Sequence, residues 1–474
     1  MSISTVIKSI QKIMREDAGV DGDAQRISQL VWLIFLKVID TKEEEYELYD
    51  DDYISAIPEH LRWNSWASDD EGITGDELLE LVNNDLFPTL KELNLDEQSS
   101  PLARTVKTVF EDSFNYMKSG TTLRRVINKL NEIHFERRED RHLFNDIYEQ
   151  ILKDLQSAGN AGEFYTPRSI TEFMVEIANP QLGEALLDPA CGTGGFLVSS
   201  IEHIKKSIKT VEDKKTLQNS IFGIEKKPLP HSLASTNLIL HDIEIPNVRH
   251  DNSLITPLKD ITAKDRVDII LTNPPFGGTE EDGIEKNFPT SYQTKETADL
   301  FLVLIIEKLK LGGRGAVVLP DGTLFGEGVK TRIKEKLLTE TNLHTIVRLP
   351  NGVFSPYTNI NTNLLFFTKG EETKDVWFYE FQLPNGYKTF TKTKPLKETH
   401  FKDLKKWWRD RVENDFAWKV SLEDIKNNNF NLDIKNPKKQ EEEKLYTTVE
   451  LIDILEYSMK KSIDILEEIK NEKS

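Results

Sequence analysis

The chain of 474 residues contains a single cysteine, Cys191, which excludes an intramolecular disulfide framework and any zinc site built from several thiolates. It also has no long apolar run. The longest uninterrupted one, Leu30 to Leu36, is far short of the roughly 20 residues that a membrane-spanning helix needs. The start, Met1-Ser2-Ile3-Ser4, has no basic stretch leading into an apolar one, so no secretory leader is expected and the reading is a soluble, cytoplasmic protein without a membrane role. Cations are in the minority: 61 Lys and Arg against 80 Asp and Glu, a net charge of −19. A protein that grips a nucleic-acid backbone unaided normally shows the opposite balance, because phosphate neutralisation supplies most non-specific affinity. There is no G-x-x-x-x-G-K-[ST] run, so ATP-driven work would belong to another chain. The nine histidines form no recognisable ligand pattern, and no metal is expected.

What is present divides along the chain. Residues 1–155 read as a helical domain: Ile3, Val6, Ile7, Ile10, Ile13 and Met14 recur at helix spacing, as do the apolar residues of Ala24 to Tyr46. Further amphipathic stretches follow at Gly75–Leu93, Pro101–Met117, Thr121–Ile133 and Arg141–Leu155, with an acidic loop from Asp50 to Gly75. Residues 156–370 alternate short β-rich runs (Ala185–Leu187, Ser220–Ile224, Val267–Thr272, Gly315–Leu319, Leu343–Leu349, Thr362–Thr368) with helical ones (Thr193–Lys209, His231–His241, Leu300–Leu311, Lys330–Thr339). That alternation predicts βαβ units and a mainly parallel sheet, an α/β fold. Residues 371–436 form a small mixed extension, with Trp377–Phe381 and Lys388–Thr391 as a candidate hairpin. Residues 437–474 hold a final helix, Lys444 to Lys470, whose Leu445, Val449, Ile452, Leu455, Met459, Ile463, Leu466 and Ile469 make a near-heptad stripe.

Two motifs carry chemistry. Leu187-Asp188-Pro189-Ala190-Cys191-Gly192-Thr193-Gly194-Gly195-Phe196 lies between a strand and a helix, where glycines let the backbone approach a ligand closely. It is not the G-x-G-x-x-G of nicotinamide-binding folds, because its carboxylate precedes the glycines. A carboxylate at that place suits a cationic ligand group such as the methionyl ammonium of S-adenosylmethionine. Glu225, ending the next strand, stands where an acid would accept both hydroxyls of a ribose. The second motif, Val267 to Thr272 followed by Asn273-Pro274-Pro275-Phe276, ends a buried strand in an amide, two prolines and an aromatic ring. The Asn273 oxygen and the Pro274 carbonyl can accept from one amino group, and Phe276 offers a face for a planar base. Alone, N-P-P-F is an ordinary strand-ending turn; downstream of the glycine turn and Glu225 it describes a pocket for a primary amide or amino-heterocycle.

With these motifs in place, the sequence resembles the modification subunits of type I restriction–modification systems, N6-adenine DNA methyltransferases. The resemblance runs from the helical N-terminus to about Lys369, and more loosely to the C-terminal helix. It implies a Rossmann-like class I S-adenosylmethionine-dependent methyltransferase fold with an all-helical N-terminal domain and a C-terminal helical extension. Gly162-Glu163-Phe164-Tyr165-Thr166-Pro167 is similar to the family segment leading into the cofactor pocket, which implies cofactor contacts at Glu163, Phe164, Tyr165 and Thr166. Asp188, Ala190, Gly192, Thr193, Gly194, Gly195 and Phe196 fall on its first cofactor motif, Glu225 on the ribose acid, and Asn273, Pro274, Pro275 and Phe276 on its catalytic motif, with Asn273 also beside the cofactor. Leu319 to Phe325 and Leu349 to Phe354 match two further signatures.

One position departs from the family pattern. Where Gly-Asp is common, this chain reads Asp251-Asn252-Ser253-Leu254, so Asn252 would face the cofactor adenine, with Asp251 as the other possible contact. The implied reaction is methylation of adenine N6 in duplex DNA on a flipped base, with Phe276 and Tyr165 holding the base. The implied partners are a specificity subunit that reads the DNA, two modification subunits to each, and an ATP-dependent restriction subunit. The C-terminal stripe would meet the specificity subunit or pack on its own catalytic domain. Other readings of the same pocket are methylation of a protein glutamine side chain, methylation of the cytosine amino group, and an inactive scaffold that binds the cofactor.

Overall fold

The computed structural model describes residues 3–95, 102–134, 166–355, 358, 360–391 and 393–438, and a few positions between 452 and 462. By contact density the chain divides into residues 1–434 and 435–474.

The first described region is helical. Its centre is the helix Asp23–Glu47, buried on nearly every side from Ile27 to Glu43. Trp32, Phe35, Phe87 and Phe110 meet edge-on or tilted around it, with Trp32 and Phe87 centroids 5.1 Å apart and Phe87 and Phe110 5.3 Å apart. Such ring pairs contribute packing beyond simple area burial. Polar groups taken into this layer are satisfied. Lys37 Nζ donates to the carbonyls of Leu130 and Ile133, at the end of the helix Gly120–Asn131. Arg124 donates to the carbonyls of Trp66, Ala67, Asp69 and Ile73, which pins the acidic loop from within. The expected stretch Arg141–Leu155 lies outside the described residues.

The second region is a nine-stranded sheet of order β3-β2-β1-β4-β5-β7-β6-β8-β9. Its strands are β1 Leu186–Asp188, β2 Ile221–Glu225, β3 Val248–His250, β4 Val267–Thr272, β5 Leu309–Pro320, β6 Thr341–Arg348, β7 Thr362–Lys369, β8 Asp375–Glu380 and β9 Ala417–Ser421. β3 through β5 are parallel; β7 inserts antiparallel between β5 and β6, β8 runs parallel to β6, and β9 closes the edge antiparallel. The sheet is therefore mixed: wholly parallel in the half that carries the glycine motif, and antiparallel beyond it except for the β6–β8 pair.

Several local expectations shift. The helix expected over Leu300–Leu311 ends at Lys308, and Leu309 already begins β5. Residues 388–391 form no strand beside Trp377: they make only an isolated bridge between Thr391 and Lys394, and β8 pairs with β9 instead. β8 and β9 thus continue the central sheet. One face of the sheet packs the helices Arg168–Ala178, Gly195–Lys205 and Pro228–Leu240; the other packs Thr297–Lys308 and Val329–Glu340. The helix Pro228–Leu240 also touches the helical layer. Its Leu233, Ile239 and Leu240 complete the N-terminal core, and the ion pairs Lys42–Asp242 (3.2 Å) and Asp112–His250 (3.3 Å) flank the contact.

Candidate active site

In an open α/β sheet the ligand crevice lies at the carboxyl ends of the parallel strands. That is where this chain gathers its chemistry. Asp188 ends β1, Glu225 ends β2, Asp251 and Asn252 follow β3, and Asn273 follows β4.

The turn after β1 is held in shape by its glycines and by Glu225. Gly192 and Gly194 adopt φ of +54° and +82°, a region that side chains resist, and Gly194 caps the helix Gly195–Lys205. Gly192 N–H donates to Glu225 Oε2 at 2.9 Å, and Lys227 N–H to Glu225 Oε1 at 2.7 Å. Glu225 is therefore fixed by two backbone donors with lone pairs to spare, while burial raises its pKa. Gly223 leaves room for this turn: a Cβ there would sit 2.8 Å from Leu197 Cδ1 and 3.0 Å from Cys191 Sγ.

Asp188 is almost fully buried and accepts from Ala190 N–H at 3.1 Å. Burial pushes its carboxyl up to about 7, with the Ala190 N–H pulling the other way and the Glu225 charge adding a little to the rise. A buried carboxyl with no cation beside it among the described residues is poised to take one.

The catalytic motif shows a sharper feature. Asn273 Nδ2 donates to Thr166 Oγ1 at 2.9 Å, whereas Asn273 Oδ1 is buried and has no hydrogen-bond partner among the described residues. An unpaired buried acceptor costs about 1–3 kcal/mol, so it calls for a donor. Phe276 is half-buried and meets Phe354 edge-on at 6.1 Å. The signature Leu349–Phe354 is thereby brought against the catalytic one. Gly352 allows that loop its course, with φ +81° and the Phe390 carbonyl 2.2 Å from where a Cβ would be. The other signature is anchored too: Asp321 accepts from Asn363 Nδ2 at 2.7 Å, and Thr323 donates to Asp299 at 3.1 Å.

A cavity of about 230 Å³ opens beside Glu225, lined by Pro189, Ala190, Lys226, Asn252, Pro275 and Phe301 among others. It unites five of the sequence-derived positions (Ala190, Glu225, Asp251, Asn252, Pro275). Asp188, Gly192, Thr193, Gly194, Gly195 and Phe196 do not line it. Phe196 is buried in the core, and the Thr193 carbonyl accepts from Asn237 Nδ2 at 3.2 Å. Glu163, Phe164 and Tyr165 lie outside the described residues. The Asn252 amide is engaged at both ends: Oδ1 accepts from Leu254 N–H at 3.0 Å and Nδ2 donates to Glu280 at 3.3 Å. Glu280, Lys226, Thr297 and Phe301 are cavity residues that sequence reasoning missed. Only the neighbouring Glu225 motif could have pointed to Lys226. Among the described residues no group of three or more His, Cys, Asp or Glu is placed to hold a metal ion, and no helix is long and apolar enough to cross a membrane.

Known proteins place this geometry. Residues 139–445 match the N-6 DNA methylase family, and residues 3–130 the HsdM N-terminal domain. The chain is 63% identical over 446 residues to the EcoEI type I restriction enzyme methylase subunit of Escherichia coli, covering 92% of this chain and 91% of that one. The crystal structure of a modification subunit of a putative type I restriction enzyme from Vibrio vulnificus YJ016 is similar with a TM-score of 0.85 and 46% identity, over 92% of this chain and 97% of that one. A chain from a type I restriction–modification assembly aligns with a TM-score of 0.81 and 37% identity, over 99% and 97% of the two chains. The fold is the class I methyltransferase fold with a helical N-terminal region that the motifs implied, and the glutamine-side-chain and scaffold readings find no support in these relatives. From its helical start to beyond the catalytic motif, the chain belongs to the N-6 DNA methylase family, among the methylase subunits of type I restriction enzymes.

Proposed function

We propose that this chain transfers a methyl group from S-adenosylmethionine to the N6 amino group of adenine in duplex DNA, as the modification subunit of a type I restriction–modification complex. The observation that carries the reading is the buried Asn273 Oδ1, without a partner among the described residues, at the end of β4, one strand from Asp188 and two from Glu225.

The residues fit the cofactor. Asp188 supplies a buried carboxylate for its ammonium, and Glu225 has free lone pairs for the ribose hydroxyls. When bound, S-adenosylmethionine supplies a methyl group on a sulfonium, ready for in-line displacement. Asn273 Oδ1 and the Pro274 carbonyl accept the two hydrogens of the target amino group and draw its lone pair toward the methyl carbon. In that pose the amino nitrogen would take the methyl group, leaving the sulfonium as a neutral thioether, and would give up one proton to water. Phe276, braced by Phe354, offers the face on which the flipped base stacks. Holding the two reactants in line is the main catalytic contribution of such a site.

The acidic surface argues for shared DNA contacts. The proposed assembly places two of these chains on one specificity subunit, with an ATP-dependent restriction subunit in the larger complex, in the cytoplasm. The C-terminal helix is the proposed contact with the specificity subunit. Its near-heptad apolar stripe, Leu445 to Ile469 in the sequence, is the face such a contact would use; most of Lys444 to Lys470 lies outside the described residues.

The test is transfer of labelled methyl from S-adenosylmethionine to unmethylated duplex DNA, with the product nucleoside identified, for the chain alone and with its co-purifying partner. N6-methyladenine formed with the partner supports the proposal. Cofactor binding without label in DNA under either condition would sink it, and label on the cytosine amino group would redirect it.

A further inference from the structure

The loop that follows the catalytic motif returns to the cofactor side of the site. Its base is closed by Glu280 N–H to the Lys295 carbonyl (3.0 Å) and Thr297 N–H to the Gly278 carbonyl (3.1 Å). This turns Glu280 inward, and its side chain is only 11% exposed. Glu280 Oε2 accepts from Asn252 Nδ2 at 3.3 Å and faces Lys226 Nζ at 3.3 Å, while Oε1 faces Thr297 Oγ1 at 3.4 Å. The carboxylate is thus held by three groups at the wall of the cavity that contains Glu225, Asn252 and Pro275.

The polar groups of that wall differ in what they offer. Asn252 Oδ1 is occupied by Leu254 N–H, and Asn252 Nδ2 and Lys226 are donors. Asp251 accepts from Asn252 N–H at 2.8 Å, pairs with Arg249 at 3.2 Å, and is 36% exposed at its side chain. Glu280 is the more deeply placed acceptor, and an ionised carboxylate can only accept. Glu225 and Glu280 line the same cavity, so a base carried on a ribose at Glu225 would lie within reach of this wall.

We infer that Glu280 reads the exocyclic amino group of the cofactor's adenine, supplying an acceptor from the opposite loop while the Asp251 carboxylate is engaged by Asn252 N–H and Arg249. This rests on the S-adenosylmethionine reading given above. It also makes the adenine of the cofactor a contact of the loop that begins at Phe276, so that seating the cofactor fixes the start of the segment beside the target base.

An acceptor-only group distinguishes a 6-amino purine from a 6-oxo purine, because the latter sets an oxygen against it. The experiment measures binding of S-adenosylhomocysteine and of its inosine counterpart, S-inosylhomocysteine, to the full chain and to Glu280→Gln and Asp251→Asn, with thermal melting as the check on folding. The wild-type chain should prefer the adenosyl ligand, and Glu280→Gln should weaken that ligand about tenfold and shrink the preference by a similar factor. Glu280→Asp should keep the preference. Equal weakening of both ligands in Glu280→Gln, or no change in either, would overturn the inference by reducing Glu280 to a loop fastening. A preference lost in Asp251→Asn and kept in Glu280→Gln would overturn it in favour of Asp251. A wild-type chain that binds neither ligand would instead overturn the cofactor reading itself, and this one with it.

Discussion

Thr166 and Asn273 stand 107 residues apart in the chain, and the hydroxyl of the first accepts the amide N–H of the second at 2.9 Å. With its nitrogen committed, the amide of Asn273 presents oxygen, the atom an amino group needs. Turned the other way, the same amide would set a donor against a donor. Removing the hydroxyl in Thr166→Val should therefore lower kcat about three- to tenfold, the effect of one neutral hydrogen bond, whereas Thr166→Ser should retain it. A rise in the KM for S-adenosylmethionine with kcat unchanged would assign Thr166 to cofactor binding alone.

Asn273→Ala removes the acceptor itself. Transfer should fall by about two to three orders of magnitude, as when a single aligned electrostatic group is lost from an active site. Calorimetric affinity for S-adenosylhomocysteine should stay within a few-fold, because Asp188 and Glu225 are untouched. A variant that loses cofactor affinity as much as turnover would show that Asn273 acts mainly on the cofactor.

The carboxyl of Asp188, lifted by burial to about 7, makes cofactor binding depend on pH. The ionised form takes the ammonium, so below about pH 7 binding must first release a proton, and affinity should fall toward tenfold per pH unit. Titrations at pH 6 in buffers of different ionisation enthalpy should show that proton release, and Asp188→Asn should bind weakly with a flat profile. The linkage to stability has the opposite sense. The folded pKa is raised above the unfolded one, so this group favours the folded state at low pH. That contribution is lost as pH rises through about 7 in the absence of ligand.

Gly223→Ala forces a Cβ against Leu197 and Cys191 behind the turn that carries Gly192. Overpacking of this kind costs about 1–3 kcal/mol. The displaced turn would also loosen the Gly192–Glu225 bond. Expected outcomes are a lower Tm and a raised KM for the cofactor, with kcat less affected; an unchanged Tm would show that the turn yields freely.

Leu455→Asp combined with Met459→Asp places charge on the exposed C-terminal stripe. The doubly substituted chain should bind cofactor normally and fail to co-purify with a specificity subunit. Retained co-purification would move the contact elsewhere.

Much of the parallel half of the sheet was legible because its strands are short apolar runs bounded by turn residues. The boundaries that moved have physical causes. No Gly or Pro stands between Thr297 and Gly312, so the change from helix to strand at Leu309 is set by pairing with β4, not by a local breaker. β3 spans three residues and β9 five, too few for alternation to show. The chemistry divides in the same way. Asp188, Glu225 and Asn273 sit in contiguous motifs whose spacing betrays them. Glu280 sits in a polar loop and acquires its place only because backbone bonds at the loop's base turn it inward. Thr166 stood out in the sequence as part of a family segment, but its bond to Asn273 exists only once the helix Arg168–Ala178 is laid against the sheet.

The helix Pro228–Leu240 begins three residues after Glu225 and lends Leu233, Ile239 and Leu240 to the core of the helical layer. That shared helix makes the N-terminal region a structural wall of the catalytic half, not a detachable appendage. A fragment trimmed to begin near the glycine motif would bare an oily flank and leave the segment behind the ribose acid without its backing. Any force that a partner or a bent duplex applies to the helical layer would, by the same connection, arrive within one turn of Glu225.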